Sequence, residues 1–289
     1  MSSPLVLYSY WRSSAAFRVR IALNLKGLAY ELRTVNLVAG EGEQHHADYR
    51  RLNPQGLVPT LLDGERVFRQ SLAIIEYLDE AYDGETKLLP PVARDRARVR
   101  AIALGIACDM HPLGNQRVLK YLDREFAVPE VERQRWMQHW IGSGFEALET
   151  TLAEHPSTGS FCEADRPTLA DCCLVPQVFS AQRWGVDLAP FPTVRRIHAA
   201  CMALEAFRRA APDAQPDAPR GESTRRLHGP QRAVARVLHS RACAGHPGRR
   251  AVPGSTQTPR KILWMTRCAV KKRLPSPTQA LGDDVPARD

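Results

Sequence analysis

Residues 8–23 read Tyr8-Ser9-Tyr10-Trp11-Arg12-Ser13-Ser14-Ala15-Ala16-Phe17-Arg18-Val19-Arg20-Ile21-Ala22-Leu23, and they overlap the short apolar run Leu5-Val6-Leu7-Tyr8. That run has the length and residue types of a strand, whereas Ser9 to Ser14 mixes polar and aromatic groups as a loop does. Phe17, Ile21, Ala22, Leu25 and Leu28 then recur at helical spacing, with Arg18, Arg20, Asn24 and Lys26 between them and Gly27 as a stop signal. The expected order is strand, loop, helix.

Working outward, Tyr30 and Leu32 alternate with Glu31 and Arg33, which predicts a second strand ending near Leu37. The polar stretch from Val38 to Asn53 reads mostly as loop. Val58 to Leu62 and Arg66 to Phe68 are two short strands joined through the turn dipeptide Asp63-Gly64. Ser71 is placed to cap a helix whose apolar face is Leu72, Ile75 and Leu78. The order βαβ then ββα is that of a thioredoxin-like α/β domain over residues 1–83, although periodicity alone leaves other small α/β folds open.

Residues 84–91 contain Gly and Pro and read as a linker. Beyond them, in residues 92–218, Arg94 to Leu122, Pro129 to Leu152, Thr168 to Gln182 and Thr193 to Ala210 each read as helices, giving an all-helical second domain. Within the first of them, Met110 to Val118 interrupts the helix with Pro112 and brings His111, Asn115 and Arg117 near one another. Thr168 and Asp171 have the spacing of a capping box. From about Ala211 hydrophobic periodicity fades into Pro, Arg, Ala and Gly, so residues 219–289 are expected to be a disordered basic tail.

The chain has 289 residues, 44% hydrophobic, and a net charge of +9. Residues 219–289 hold 15 of the 40 basic and 4 of the 31 acidic side chains, or +11, which leaves −2 for residues 1–218. The basicity therefore belongs to the tail, which has no zinc spacing, RNA-binding aromatic signature or basic helix, so nucleic acid is not the expected partner. Seven cysteines at 108, 162, 172, 173, 201, 243 and 268 lack the regular spacing of a disulfide framework or a metal site. With no leader-like segment and no run of 18 apolar residues, a cytoplasmic protein is expected, with no metal and no membrane span.

The loop between Tyr8 and Ala16 carries the chemistry. It places two hydroxyls and Arg12 at the start of a helix, where unpaired amides and the macrodipole attract an anion. A serine hydroxyl donating to a thiolate there lowers the thiol pKa and raises the population of nucleophile near neutrality. The bland reading, equally open from this loop alone, is that Ser13 or Ser14 simply caps the helix.

At this point the sequence resembles a known family. The Ser13-Ser14 loop, Asn53-Pro54, Leu57 to Leu61, Gln70 to Leu78, Thr168 to Asp171 and Leu174 to Val178 together look like the zeta-class glutathione transferases, the maleylacetoacetate isomerases, over about residues 4–218. The resemblance implies a glutathione transferase fold and glutathione as cosubstrate. It implies Ser13 against the glutathione sulfur with Ser14 close by, the Val58-Pro59 pair as a cis-proline element facing the cysteinyl backbone, and Gln70 and Ser71 on the γ-glutamyl carboxylate. Gln44 is placed at the glycyl end, and His111 and Asn115 among the polar contacts. Arg12, Arg117 and Arg183 become the carboxylate-binding set, with Arg12 also in the catalytic loop. The family's cysteine after the serine pair is Ala15 here, which removes any second thiol at that position.

The activity implied is glutathione-dependent cis-trans isomerisation of 4-maleylacetoacetate to 4-fumarylacetoacetate in tyrosine and phenylalanine breakdown, by a homodimer. Maleylpyruvate isomerisation and a general transferase acting on small electrophiles are the alternatives. The resemblance ends near Ala218, so the tail reads as a frameshifted or read-through C-terminus.

Overall fold

The computed structural model describes residues 4–83 and 86–219. The tail expected beyond residue 218 lies, from residue 220 on, outside the described residues.

Four strands form one sheet in the order β2-β1-β3-β4. β1 (Leu5–Ser9) runs parallel to β2 (Tyr30–Thr34) and antiparallel to β3 (Thr60–Asp63), which pairs with β4 (Arg66–Arg69). The register sets Leu7 opposite both Leu32 and Leu61. β2 is shorter than the expected strand. After Val35 donates a last bond to the Ser9 carbonyl, the Asn36 side chain takes the Val38 and Ala39 amides at 2.9 and 3.0 Å and turns the chain away. The stretch read as loop contains a 3-10 turn (Glu43–His45) and α2 (Ala47–Leu52). Their brevity and polar composition hide any period.

α1 (Ser14–Leu25) is the centre of the molecule. Every residue from Ala16 to Leu23 is buried, including Arg18 and Arg20, which the periodicity had set among the spacers of an amphipathic helix. The reason is tertiary: α1 packs on α3 (Ser71–Ala81) and also on α7 (Leu169–Arg183) and α9 (Glu205–Ala210), so it has no solvent face.

The helical part comprises α4 (Ala93–Leu104), α5 (Gln116–Phe126), α6 (Glu130–Ala153), α7, α8 (Pro192–Ala203) and α9. Two of the expected helical stretches are divided, the first at the expected interruption around Pro112 and the last without such a signal. The first passes from α4 through a π-helical turn (Gly105–Met110) and a 3-10 turn (His111–Gly114) before α5. Pro112 cannot donate to an α-helical ladder, and the Asn115 side chain restarts the helix by accepting the Arg117 amide at 3.1 Å. The last breaks at Leu204, whose backbone is extended. The capping box at α7 is present: the buried Asp171 carboxylate receives the Thr168 amide at 2.8 Å and hydroxyl at 2.9 Å, and also the Cys162 amide at 2.9 Å.

Candidate functional site

The loop between β1 and α1 is held by a buried guanidinium. Arg20 Nε donates to the Ala210 carbonyl at 3.0 Å, Nη1 to Ser9 Oγ at 2.9 Å and to the Tyr10 carbonyl at 3.3 Å, and Nη2 to the Trp11 carbonyl at 3.0 Å. The Trp11 amide donates to Asp217 Oδ2 at 2.9 Å. The loop that carries Arg12 and Ser13 is thus tied to the segment after α9, with Trp11 and Asp217 206 residues apart in sequence, a link inaccessible to any local reading.

Ser13 is the N-cap of α1, and its Oγ accepts the Ala16 amide at 3.2 Å. A hydroxyl has one proton to donate and two lone pairs, so capping and donating outward are compatible. Ser14 is the first helical residue. Both serines are half-buried and line the same cavity.

The Val58-Pro59 peptide is cis. The approach to it is braced by Tyr49 and Asn53: Tyr49 Oη donates to the Leu57 carbonyl at 2.6 Å, and Asn53 Nδ2 donates to the same carbonyl at 2.8 Å. Burial pushes the Tyr49 phenol up to about 12 against the opposing hydrogen bonds of Thr60 and Asn53, so it stays a donor.

At the start of α3 the expected cap is displaced by one residue. Gln70, not Ser71, occupies the N-cap, with φ of 68° and ψ of 118°, and Ser71 is the first helical residue. A positive φ is costly for a residue with a Cβ. It turns the chain so that Gln70 and Ser71 both border the cavity, with Gln70 Nε2 donating to Gln55 Oε1 at 2.8 Å. Ser71 is buried, and its Oγ accepts from Arg18 Nη1 at 3.3 Å. Gln44, in the 3-10 turn before α2, is buried with its Oε1 unpartnered.

The opposite wall comes from the helical part. His111 is half-buried, and desolvation together with the cations Arg18 and Arg117 pushes its pKa down to about 3, so the ring is neutral at physiological pH. Asn115 caps α5, and Arg117 on its first turn is exposed. Arg183 sits at the end of α7 over the Trp184 ring, 5.1 Å from its centroid, and Arg12 lies over Trp11 at 5.4 Å. Burial and the nearby Arg12 lower the Arg183 pKa to about 10, which leaves it charged but short of an anion. Met110, Met137 and Ile141 supply apolar wall. Gly114 and Gly144 pack directly against Met137 and Met110 respectively, so a Cβ on either would displace the methionine side chain.

These surfaces enclose a cavity of about 640 Å³, lined by Arg12, Ser13, Ser14, Gln44, Val58 and Pro59 on one side. Gln70, Ser71, His111, Asn115, Arg117 and Arg183 complete it. Every candidate from the sequence therefore borders one space of the size that holds a small-molecule ligand. Its cationic lining and its unpartnered Gln44 Oε1 and Arg18 nitrogens suit a ligand with carboxylates and amides, as a tripeptide has. Sequence reasoning missed Arg18, Arg20, Gln55 and Asp217. The one local signal was the run Phe17-Arg18-Val19-Arg20-Ile21, two arginines within an otherwise apolar helix. Among the described residues no His/Cys/Asp/Glu cluster could hold a metal, and no helix is long and apolar enough to cross a membrane.

Comparison with known proteins gives the arrangement its context. Residues 7–86 match the family model for the glutathione S-transferase N-terminal domain. A protein of Vibrio cholerae named probable maleylacetoacetate isomerase is 51% identical over 214 residues, covering 74% of this chain and 98% of the relative. The holo structure of a maleylpyruvate isomerase, described as a bacterial zeta-class glutathione transferase, is 49% identical with a TM-score of 0.71, covering 74% of this chain and all of the other. A maleylacetoacetate isomerase of Methylobacterium extorquens AM1, solved with malonate and glutathione bound, is 44% identical with the same TM-score of 0.71, covering 74% and 99%. The chain belongs to the zeta class of the glutathione transferases, the family of the maleylacetoacetate isomerases.

Proposed function

We propose that this protein is a glutathione-dependent maleylacetoacetate isomerase. The observation that carries the reading is the pairing, in one cavity, of an N-cap serine whose hydroxyl proton is free with two facing guanidinium groups, Arg12 and Arg183. Kinship with the Vibrio cholerae protein and with the relative that holds glutathione and malonate supports the cosubstrate and the acidic substrate.

Bound glutathione supplies a thiolate that adds reversibly to the cis double bond, so that the resulting single bond can rotate before elimination. Ser13 donates its hydroxyl proton to the sulfur at the positive end of α1 and holds it ionised. Val58 presents backbone to the cysteinyl unit as an added strand. Gln70 and Ser71 hold the γ-glutamyl carboxylate at the N-terminus of α3, Gln44 lies toward the glycyl end, and His111 and Asn115 make neutral polar contacts. Arg12, Arg117 and Arg183 grip the substrate carboxylates and spread the charge that develops on its carbonyl oxygen as the sulfur adds. No proton need enter or leave over the cycle. The serine stays a donor throughout, and the family's second thiol, replaced by Ala15, has no task in it.

Within the family frame we read the protein as a cytoplasmic homodimer with a glutathione domain over residues 1–83 and a substrate domain over 92–218. The test is turnover of maleylacetoacetate, with maleylpyruvate in parallel, at saturating glutathione and without it. Conversion of maleylacetoacetate that needs glutathione but does not consume it is expected. Faster turnover of maleylpyruvate would reassign the substrate. Activity on neither, with conjugation of simple electrophiles retained, would replace the isomerase by a general transferase.

A further inference from the structure

Arg18 is the oddest charge in the molecule. It lies on α1, 2% exposed, and borders the cavity. Its Nη1 donates to Ser71 Oγ at 3.3 Å, while Nε and Nη2 are buried and have no hydrogen-bond partner. Among the described residues no carboxylate forms an ion pair with it. Burial lowers its pKa. An unpaired buried guanidinium is expensive, and burial normally requires a counter-charge. Arg20, two residues on and equally buried, shows the contrast, with all three nitrogens bonded to Ala210, Ser9, Tyr10 and Trp11.

We propose that Arg18 is the built-in counter-charge for the γ-glutamyl carboxylate of glutathione and acts on it through Ser71. The proposal rests on the glutathione reading above and adds a residue to it. By filling one lone pair of Ser71 Oγ from below, the guanidinium leaves the hydroxyl proton to point toward the cavity. A carboxylate accepting that proton at the N-terminus of α3 then sits over a buried cation with no solvent between them to screen it. Arg18 is thus a positioning residue with an electrostatic reach. The same charge helps to keep His111 neutral from the other side, so the cation has a consequence on both walls.

The experiment is a cycle between side chain and ligand. Binding of glutathione, and of 4-aminobutyryl-cysteinylglycine, which is glutathione without the γ-glutamyl carboxylate, is measured calorimetrically on the full-length protein. Wild type, Arg18→Met and Ser71→Ala are compared. Arg18→Met should weaken glutathione about 30-fold, or about 2 kcal/mol at 1.4 kcal/mol per decade, and shift the analogue by no more than about twofold. Because methionine at a buried arginine site can disturb folding, Ser71→Ala provides an independent arm. It removes the relay with little volume change and should cost at least fivefold of the preference for glutathione over the analogue. Equal weakening of both ligands by Arg18→Met, or an unchanged preference in Ser71→Ala, overturns the assignment. Failure of the wild-type protein to bind glutathione at all removes the functional reading and Arg18's role with it.

Discussion

Replacing Ser13 by alanine separates two jobs done by one oxygen. The capping job is modest: Oγ accepts a single amide, Ala16, at the long distance of 3.2 Å, so the loss belongs near the middle of the range for an N-cap, about 1 kcal/mol. For a domain of this size that lowers Tm by about 2–4 °C. The second job, in the mechanism proposed above, is donation to the sulfur of glutathione. A hydrogen bond to a charged partner contributes about 1.5–3 kcal/mol; at 1.36 kcal/mol per pKa unit its removal raises the bound thiol by about 1–2 units. At pH 7 the thiolate fraction, and with it kcat/KM for isomerisation, falls about 10- to 100-fold. The assay is a pH titration of the thiolate absorbance of the glutathione complex near 240 nm, with thermal melting on the same samples. Ser14→Ala is the control. Ser14 lies one step inside the helix, where it does not cap, so it should move neither quantity by half as much. A thiol pKa that rises in Ser14→Ala and stays put in Ser13→Ala refutes the assignment, whatever the melting curves show.

Arg183→Ala should lower kcat/KM for maleylacetoacetate at least 100-fold, or about 2.7 kcal/mol, while conjugation of an uncharged electrophile changes less than about threefold; equal losses on both would show that Arg183 holds the fold and not a carboxylate. Asp171→Ala leaves the buried Cys162 and Thr168 amides unpaired and should cost about 3 kcal/mol or more, read as a Tm lower by about 6–12 °C; a loss under about 1 kcal/mol would mean that water replaces the carboxylate. His111 titrates near 6.5 when unfolded and near 3 in the folded chain, so between those values the unfolded state binds the extra proton and stability falls as pH falls. From pH 7.5 to 5 the loss attributable to His111 is at most about 2 kcal/mol, less whatever water screens at this half-buried ring. Denaturant titrations of the wild type and His111→Gln check it, and an identical pH slope in the two removes His111 as the cause.

Features encoded over a few neighbouring residues were the readable part of this fold. β1, the hairpin of β3 and β4 and the Thr168-Asp171 capping box all depend on neighbours within four or five positions, and the structure holds each of them, with Asp63 paired to Arg66 inside the hairpin so that Gly64-Glu65 makes the turn in place of Asp63-Gly64. The failures share a cause as well. α2 and the turn before it are too short to show a period, and the break at Leu204 has no proline or glycine nearby to mark it, unlike the one at Pro112. The N-cap of α3 moved from Ser71 to Gln70 because the chain enters that helix with a positive φ, which residue preference does not foretell. Arg18 and Arg20 were misplaced for a deeper reason. A helix covered on all sides has no polar face, and only packing against α7 and α9 tells α1 that it is one.

By itself, then, the sequence determined the order of elements, the family and the candidate residues. These come from local hydrogen-bonding chemistry and from motifs that survive as short strings. The tertiary structure alone decided that Ser13 is the cap and Ser14 is not, that His111 is neutral, and that Asp217 reaches the Trp11 amide. It also decided that the two arginines of α1 divide their work, Arg20 holding the loop between β1 and α1 and Arg18 left with nitrogens to spare beneath Ser71. Desolvation and charge depend on everything packed around a group, and that surrounding is assembled from residues far apart in the chain.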